Sequence, residues 1–363
     1  MPSFLYLAHF ESDPDLTDKD SEKNFDKMSF TKQNSSVSYR STKPTKKQRV
    51  RTHFKRFWWL HLLLWLCIAA LFVCLSIFVF VPIAAQNKVN AASLEIQGVN
   101  IIEAKPNSFL IQINSTIRTD GQFKADLDPF EGDLTLTDIP NARPFMTIKF
   151  PHTNADEFQA INISQTIDIT DKAAFAQFNQ VFFQNETLEI DIVGRTNVQP
   201  RGLSKKYPVD FKKRVEFKGL NLLNGTKIEN AKLGSDGDAP NFNATAIIMN
   251  RSYYTLDLGN ATFQNFADGQ YVGMLNVTYL ILRPGLNTVN ITSRINQTGV
   301  LEIVKKPSFC KTGIIPFQLH GTRVENNGQE IPWLEAALSS ANQTVDINVG
   351  ELLGSAGTSF CVS

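Results

Sequence analysis

Very few residues of this 363-residue chain have the type and spacing that chemistry requires. Downstream of one long apolar segment the only histidines are His152, in the loop-like Pro151-His152-Thr153, and His320, beside Gly321 at a strand end. Neither has a cysteine or second histidine at ligand spacing, so no zinc signature exists. There is no G-x-S-x-G elbow, no G-x-x-x-x-G-K-[ST] and no G-x-G-x-x-G, which removes the nucleophile and nucleotide motifs. Gly234-Ser235-Asp236-Gly237-Asp238 resembles the start of a calcium loop, but the later ligands are missing. Asp236-Gly237-Asp238 also spells the D-x-D of a glycosyltransferase, but its flanks read as a solvated loop. The residues call for no cofactor and no metal, and they predict a protein that is not an enzyme.

Two cysteines are a different matter. Cys310 and Cys361 are the only ones beyond the apolar segment. In an oxidising compartment such an isolated pair joins, so a disulfide tying the C-terminus to a segment about fifty residues earlier is expected. Cys67 and Cys74 lie inside the apolar segment, as plain small apolar residues or, alternatively, palmitoylation sites.

From Phe57 to Ala85 no residue is charged. At about 1.5 Å per residue this run exceeds a ~30 Å hydrocarbon core and predicts a transmembrane helix over 57–85. Trp58 and Trp59 stand at one end, where amphipathic rings favour the headgroup level. A cleaved signal peptide is the competing reading, with Ala84-Ala85 as its small-residue site, but its apolar region would be shorter and nearer the start. Lys43, Lys46, Lys47, Arg49, Arg51, Lys55 and Arg56 precede the run, and only Lys88 follows closely. The positive-inside rule therefore puts residues 1–56 in the cytoplasm. That segment holds 12 Lys/Arg and 7 Asp/Glu, and the rest of the chain 24 and 28. The net +1 thus hides a basic tail and a mildly acidic remainder, which argues against a nucleic-acid partner. The tail reads as disordered, with a cytoplasmic partner as one use, and its basic cluster as a topology signal or an anionic-lipid contact.

Eleven N-x-S/T sequons follow the apolar run, at Asn114, Asn162, Asn185, Asn224, Asn243, Asn250, Asn260, Asn276, Asn290, Asn296 and Asn342. Their number, on the side that the charge rule makes non-cytoplasmic, predicts an N-glycosylated region of the secretory pathway. Asn34 also begins a sequon but falls on the cytoplasmic side.

Downstream the grammar is that of strands. Apolar residues alternate at Leu94/Ile96, Phe109/Ile111/Ile113, Ile161/Ile163, Ile167/Ile169 and Leu188/Ile190/Ile192. One amphipathic helix, 171–184, interrupts them, with Asp171 as cap and Ala174, Phe175, Phe178, Val181 and Phe182 on one face. After GLNLLNG at Gly219–Gly225 the strand pattern restarts, with strands expected at Ala244–Met249, Tyr271–Leu282 and Thr288–Ile295. Arg283–Asn287 should turn a hairpin, and a short helix at Pro332 should precede a strand at Val345–Val349. EIDIVGRTNV (Glu189–Val198) faintly echoes IPFQLHGTRV (Ile315–Val324), each read as strand, glycine and return strand. The chain thus predicts a mainly β protein: a tail 1–56, one membrane helix 57–85, a short linker Gln86–Ala92, and tandem β-sandwich-like domains at 88–222 and 223–363.

VNAASLEIQGVNI followed by SFLIQINSTI, the helix with Phe175 and Phe178 before LEIDIVGRTNV, and LILRPGLNTVNIT at Leu280–Thr292 together resemble fungal vacuolar-membrane proteins related to the type 2 late-embryogenesis-abundant domain. The resemblance spans residues 88–363 and transfers no active-site residue. It implies tandem β-sandwich modules with an apolar interior that holds membrane lipid, and residence in the vacuole membrane linked to its signalling and autophagy control. On that reading Phe109, Ile111, Ile113, Phe175 and Phe178, chosen from pattern alone, are the lipid-facing candidates. A lumenal or cell-surface adaptor or adhesion glycoprotein is the alternative, and a type II glycosyltransferase or hydrolase is a third reading that lacks an acid/base pair.

Overall fold

The computed structural model describes residues 46–154, 156–235, 237, 239–354 and 360–361, those of 46–56 by backbone alone. The tail sequon at Asn34 and the aspartates at 236 and 238 lie outside the described residues. The chain divides into two compact units, 1–67 and 68–363. In the first, the described backbone is helical from Lys46, so helix begins within the segment read as a disordered tail.

Helix α1 (Lys46–Leu75) continues through a π-helical turn at Ser76–Phe80 into α2 (Val81–Ala91). The stretch Phe57–Ala91 is long and apolar enough to cross a membrane. The expected short linker is therefore helix as far as Ala91, and it is docked. Ala85 and Val89 are buried.

The remainder is mainly β, as the alternating pattern requires, and it is built from more than one sheet. Its first half runs through β1 (Ser93–Ile102), β2 (Ser108–Arg118), β3 (Ala125–Leu127), β4 (Phe130–Leu136), β5 (Met146–Phe150), β6 (Thr153–Asn154) and β7 (Phe158–Asp168). Helix α3 (Lys172–Gln184), β8 (Thr187–Pro200) and β9 (Tyr207–Lys218) complete it. Asp171 caps α3 as expected, its carboxylate accepting from the amides of Ala173 and Ala174 at 3.1 and 3.0 Å. One sheet has the order β5-β4-β8-β3-β6, with β9 on the far side of β8. The free edge of β9 is covered by α2. The Gln86 side-chain amide donates to the Asp210 carbonyl and accepts from its amide, at 2.8 and 2.9 Å, as a neighbouring strand would. Lys213 closes the helix end by donating to the carbonyls of Asn90 and Ala92. Partial burial there pulls its pKa down.

The second half contains β10 (Lys227–Leu233), β11 (Phe242–Asn250), β12 (Tyr254–Ala267), β13 (Gln270–Leu282), β14 (Gly285–Ile295), α4 (Gln297–Val304) and β15 (Ile314–Asn326). It ends with β16 (Gln329–Glu330), α5 (Pro332–Leu338), β17 (Gln343–Asn348) and α6 (Val349–Leu352). The hairpin at 283–287 is locked by Asn287, which accepts from the Arg283 amide at 2.8 Å and donates to its carbonyl at 2.7 Å.

Two expectations are corrected. The halves are not separate sheets divided at 219–225. Strand β1 pairs in parallel with β12, Val99 opposite Tyr254 through Ile101 opposite Leu256, so β2 and β7 join the sheet of the second half. Parallel neighbours need a long crossover, and here it is the rest of the first half together with β10 and β11. Nor does either glycine of the 189–198 and 315–324 echo turn the chain. Both segments lie within uninterrupted strands, β8 and β15. A Cβ on Gly194 would lie 2.6 Å from the Glu131 carbonyl oxygen, and one on Gly321 would lie 2.5 Å from Leu338 Cβ, so these glycines admit a neighbouring element.

Candidate functional site

The five residues expected to face lipid are all buried, and they pack on one another or on the opposite layer. Phe109 of β2 stacks on Phe175 of α3 at 5.3 Å between ring centroids. Trp333 of α5 closes the group at 5.3 Å from Phe175 and 5.5 Å from Phe109. Its indole donates to the Lys105 carbonyl at 2.9 Å. Phe178 stacks on Phe145 at 4.1 Å. Ile111 and Ile113 border only a void of about 30 Å³ between the two sheets. Phe178 borders another of about 40 Å³. Ligand pockets occupy roughly 300–1,000 Å³, so these residues form a solid core and not a lipid cavity. The missing signal was Trp333, more than 150 residues from Phe175 in sequence, which fills the space a ligand would need.

A further apolar void lies in the second half, among residues that the periodicity did not single out. Strands β10-β11-β14-β13-β12 form a continuous ladder, which β15 and β17 extend from β12. The row curls until β10 and β17 face each other, with no ladder between them among the described residues. Inside lies a chamber of about 80 Å³, walled by apolar side chains including Leu275, Ile291, Val300, Phe317 and Val345. Its polar exceptions are Asn265, Ser293 and Gln297. Asn265 donates to Ser293 Oγ at 3.1 Å, while its own buried Oδ1 has no hydrogen-bond partner among the described residues. Outside the open seam runs a polar groove of about 730 Å³, lined by Lys227, Glu229, Asn230, Asn348 and Glu351. Ile228, Ile347 and Leu352 border both spaces, so groove and chamber adjoin.

A third space, about 110 Å³, sits where α2 meets the first half, bordered by Ala85, Val89, Phe123, Val198 and Phe211. Lys88 and Asp120 form an ion pair at its rim. The hydrogen bond from Lys88 holds the Asp120 carboxyl below its usual range, as Lys206 does for Asp128 and Arg214 for Asp191.

Ten of the eleven sequon asparagines are exposed. Asn114 and Asn162 stand directly opposite each other on β2 and β7. Asn243 and Asn276 flank Thr292 from either side on the outer face of the second half. Asn250 is the correction: it is 1 % exposed. Its side chain donates to the Tyr254 carbonyl at 2.8 Å and accepts from the amide and hydroxyl of Ser252, itself buried. A glycan on Asn250 would be forced into the core, so we expect glycopeptide mass spectrometry to find this site empty. An occupied Asn250 in folded protein would contradict the packing. The cysteines pair as expected: Cys310 and Cys361 form a disulfide with Cα atoms 4.8 Å apart. His152 is an exposed loop residue, and His320 Nδ1 lies 3.1 Å from Asn342 Oδ1. Among the described residues no three acidic, histidine or cysteine side chains gather in a metal-binding group.

Comparison with known proteins adds one family. Residues 143–265 match a family described as protein of unknown function (DUF3712), from β5 into β12. No curated protein matches the chain. Among solved structures, a Northeast Structural Genomics Consortium target, SoR45, is 12 % identical over 35 % of this chain and 85 % of its own, with a TM-score of 0.21. A bacterial adhesin from Mobiluncus mulieris is 9 % identical over 70 % of this chain and 96 % of its own, with a TM-score of 0.19. At these TM-scores neither similarity bears on fold or function.

Proposed function

We propose that this is a non-enzymatic, single-pass membrane protein of the vacuole membrane whose lumenal β unit takes up a membrane lipid. The acyl chain would enter the chamber of the second half and the polar end would rest in the seam groove. One observation carries this reading: an apolar chamber adjoins a polar groove across two strand edges that share no ladder. At about 80 Å³ the chamber, like the voids of the first half, is smaller than a ligand pocket and holds only part of an acyl chain; what sets it apart is the open seam, and uptake requires β10 and β17 to part. Each further methylene buried would contribute about 0.8 kcal/mol. The vacuolar setting and the link to autophagy control rest on the family resemblance, and the orientation rests on the basic flank and the sequons.

The test is lipid mass spectrometry of the purified full-length protein beside its Ile291→Phe variant, which fills the chamber. We expect a stoichiometric lipid in the wild type and its loss in the variant, with the melting temperature of the variant monitored. Wild-type protein carrying no more lipid than an unrelated single-span protein purified alongside would sink the reading. Orientation has its own check. Glycosidase treatment should shorten the protein in several steps, and an unchanged mobility would reverse the topology.

The adaptor alternative also has a specific support. The strands of the sheet containing β8 and β9 carry no sequon asparagine, the nearest being Asn185 just before β8. Their outer face bears charge pairs such as Arg195–Asp210 and Arg214–Asp191, and such a glycan-free polar face suits a protein partner.

A further inference from the structure

The loop between β8 and β9, Arg201–Lys206, is placed in a way that the lipid-binding reading does not use. The Lys205 ammonium lies 3.8 Å from the centre of the Phe78 ring and 5.5 Å from that of Tyr207. Phe78 belongs to the apolar helix itself. Counting about 20 residues from Phe57 for a ~30 Å hydrocarbon core ends at Ser76–Phe78. Apolar exposure does not stop there. Phe80 and Ile83 are 59 % and 54 % exposed, and both lie beyond Phe78 toward the β unit. A bilayer that covers them places the contact between Phe78 and Lys205 at or beneath its phosphates.

From this we propose that the β8–β9 loop is a bilayer-contact element, with Lys205, together with Lys124, binding the phosphates of the adjacent leaflet. The two belong to one surface, since the Arg201 amide donates to the Lys124 carbonyl at 3.0 Å. The neighbouring charges are mostly committed. Lys206 pairs with Asp128 at 2.7 Å, Arg201 approaches Asp156 at 3.8 Å, and Lys88 pairs with Asp120. Lys124 and Lys205 have no carboxylate partner within 4 Å among the described residues. An ammonium held over an aromatic ring of a membrane helix keeps its charge at the depth of that ring, within reach of the headgroup phosphates, and an anionic surface attracts it further. The loops at this end, 119–124, 151–157 and 200–206, contain no sequon, in keeping with a surface held against lipid. With α2 docked along β9, this contact would hold the β unit on the membrane at a fixed height and not on a free tether.

The inference rests on the reading of Phe57–Ala91 as a membrane span, and its test separates the two. Full-length protein carrying Cys67→Ala, Cys74→Ala and Ser204→Cys is labelled with an environment-sensitive fluorophore. It is then reconstituted in phosphatidylcholine vesicles, with or without phosphatidylserine and headgroup-spin-labelled lipid. We expect strong quenching at residue 204 and none for the same label at Gln270→Cys, the first residue of β13, just past the far end of β12. Lys205→Glu should lose most of the quenching, and Lys205→Arg should keep it. An unquenched residue 204, in protein that alkaline carbonate does not extract, would overturn the loop assignment and leave the span intact. Extraction by carbonate would overturn both.

Discussion

Replacing Phe175 with alanine should destabilise the β unit by about 3–5 kcal/mol, the range for truncating a buried phenylalanine. Phe175 is 1 % exposed and touches Phe109, Phe178 and Trp333. Stacked and edge-on aromatic pairs add roughly 0.5–1.5 kcal/mol each beyond area burial, which puts the cost at the upper end. The form of the loss matters more than its size. Phe109 and Phe175 come from the first half and Trp333 from the second, and β1 pairs with β12 beneath them. The two halves should therefore unfold together. Calorimetry of the full-length protein is expected to show one transition, moved down by roughly 10 °C in the variant. Two transitions, of which only the earlier moves, would show that the halves are independent domains after all.

Breaking the disulfide should cost about 4 kcal/mol, the chain-entropy value for a loop of 51 residues. The physical consequence is local as well as global. The Phe360 amide donates to the Cys310 carbonyl at 2.8 Å. Phe360 packs on a small core of Ala267, Val304, Ile315 and Val349, beside the chamber wall formed by Leu352 and Leu353. Cys310→Ser should thus lower stability and also loosen the seam between β10 and β17. Hydrogen exchange at Ile347 and Asn348 should rise well before global unfolding. Cys361→Ser and the double variant should match the single one, because each removes the same bond. A double variant that costs the sum of the singles would mean that each cysteine acts through packing alone.

The amino-acid sequence by itself determined what depends on local pattern and on chemistry carried by residue type. The apolar run from Phe57, the charge step before it, the sequons, the cysteine pair, the cap and apolar face of α3 and the hairpin at Arg283–Asn287 are all legible, because each is written within a few residues or in a count. Tertiary structure decided what depends on residues far apart. The parallel pairing of Val99 with Tyr254 leaves no trace in the two-residue alternation of either strand, since period fixes which face is buried and not which strand lies beside it. Alternation likewise marked Phe109, Ile111 and Ile113 as inward-facing but could not show whether anything filled the space they face. Trp333 and the opposite sheet fill it. The sequon at Asn250 has the correct letters, yet its amide is spent on Tyr254 and Ser252. The helix beyond Phe80 reads as the end of a membrane span until Gln86 and Lys213 tie it to β9. In each case the deciding contact joins segments that only the folded chain brings together.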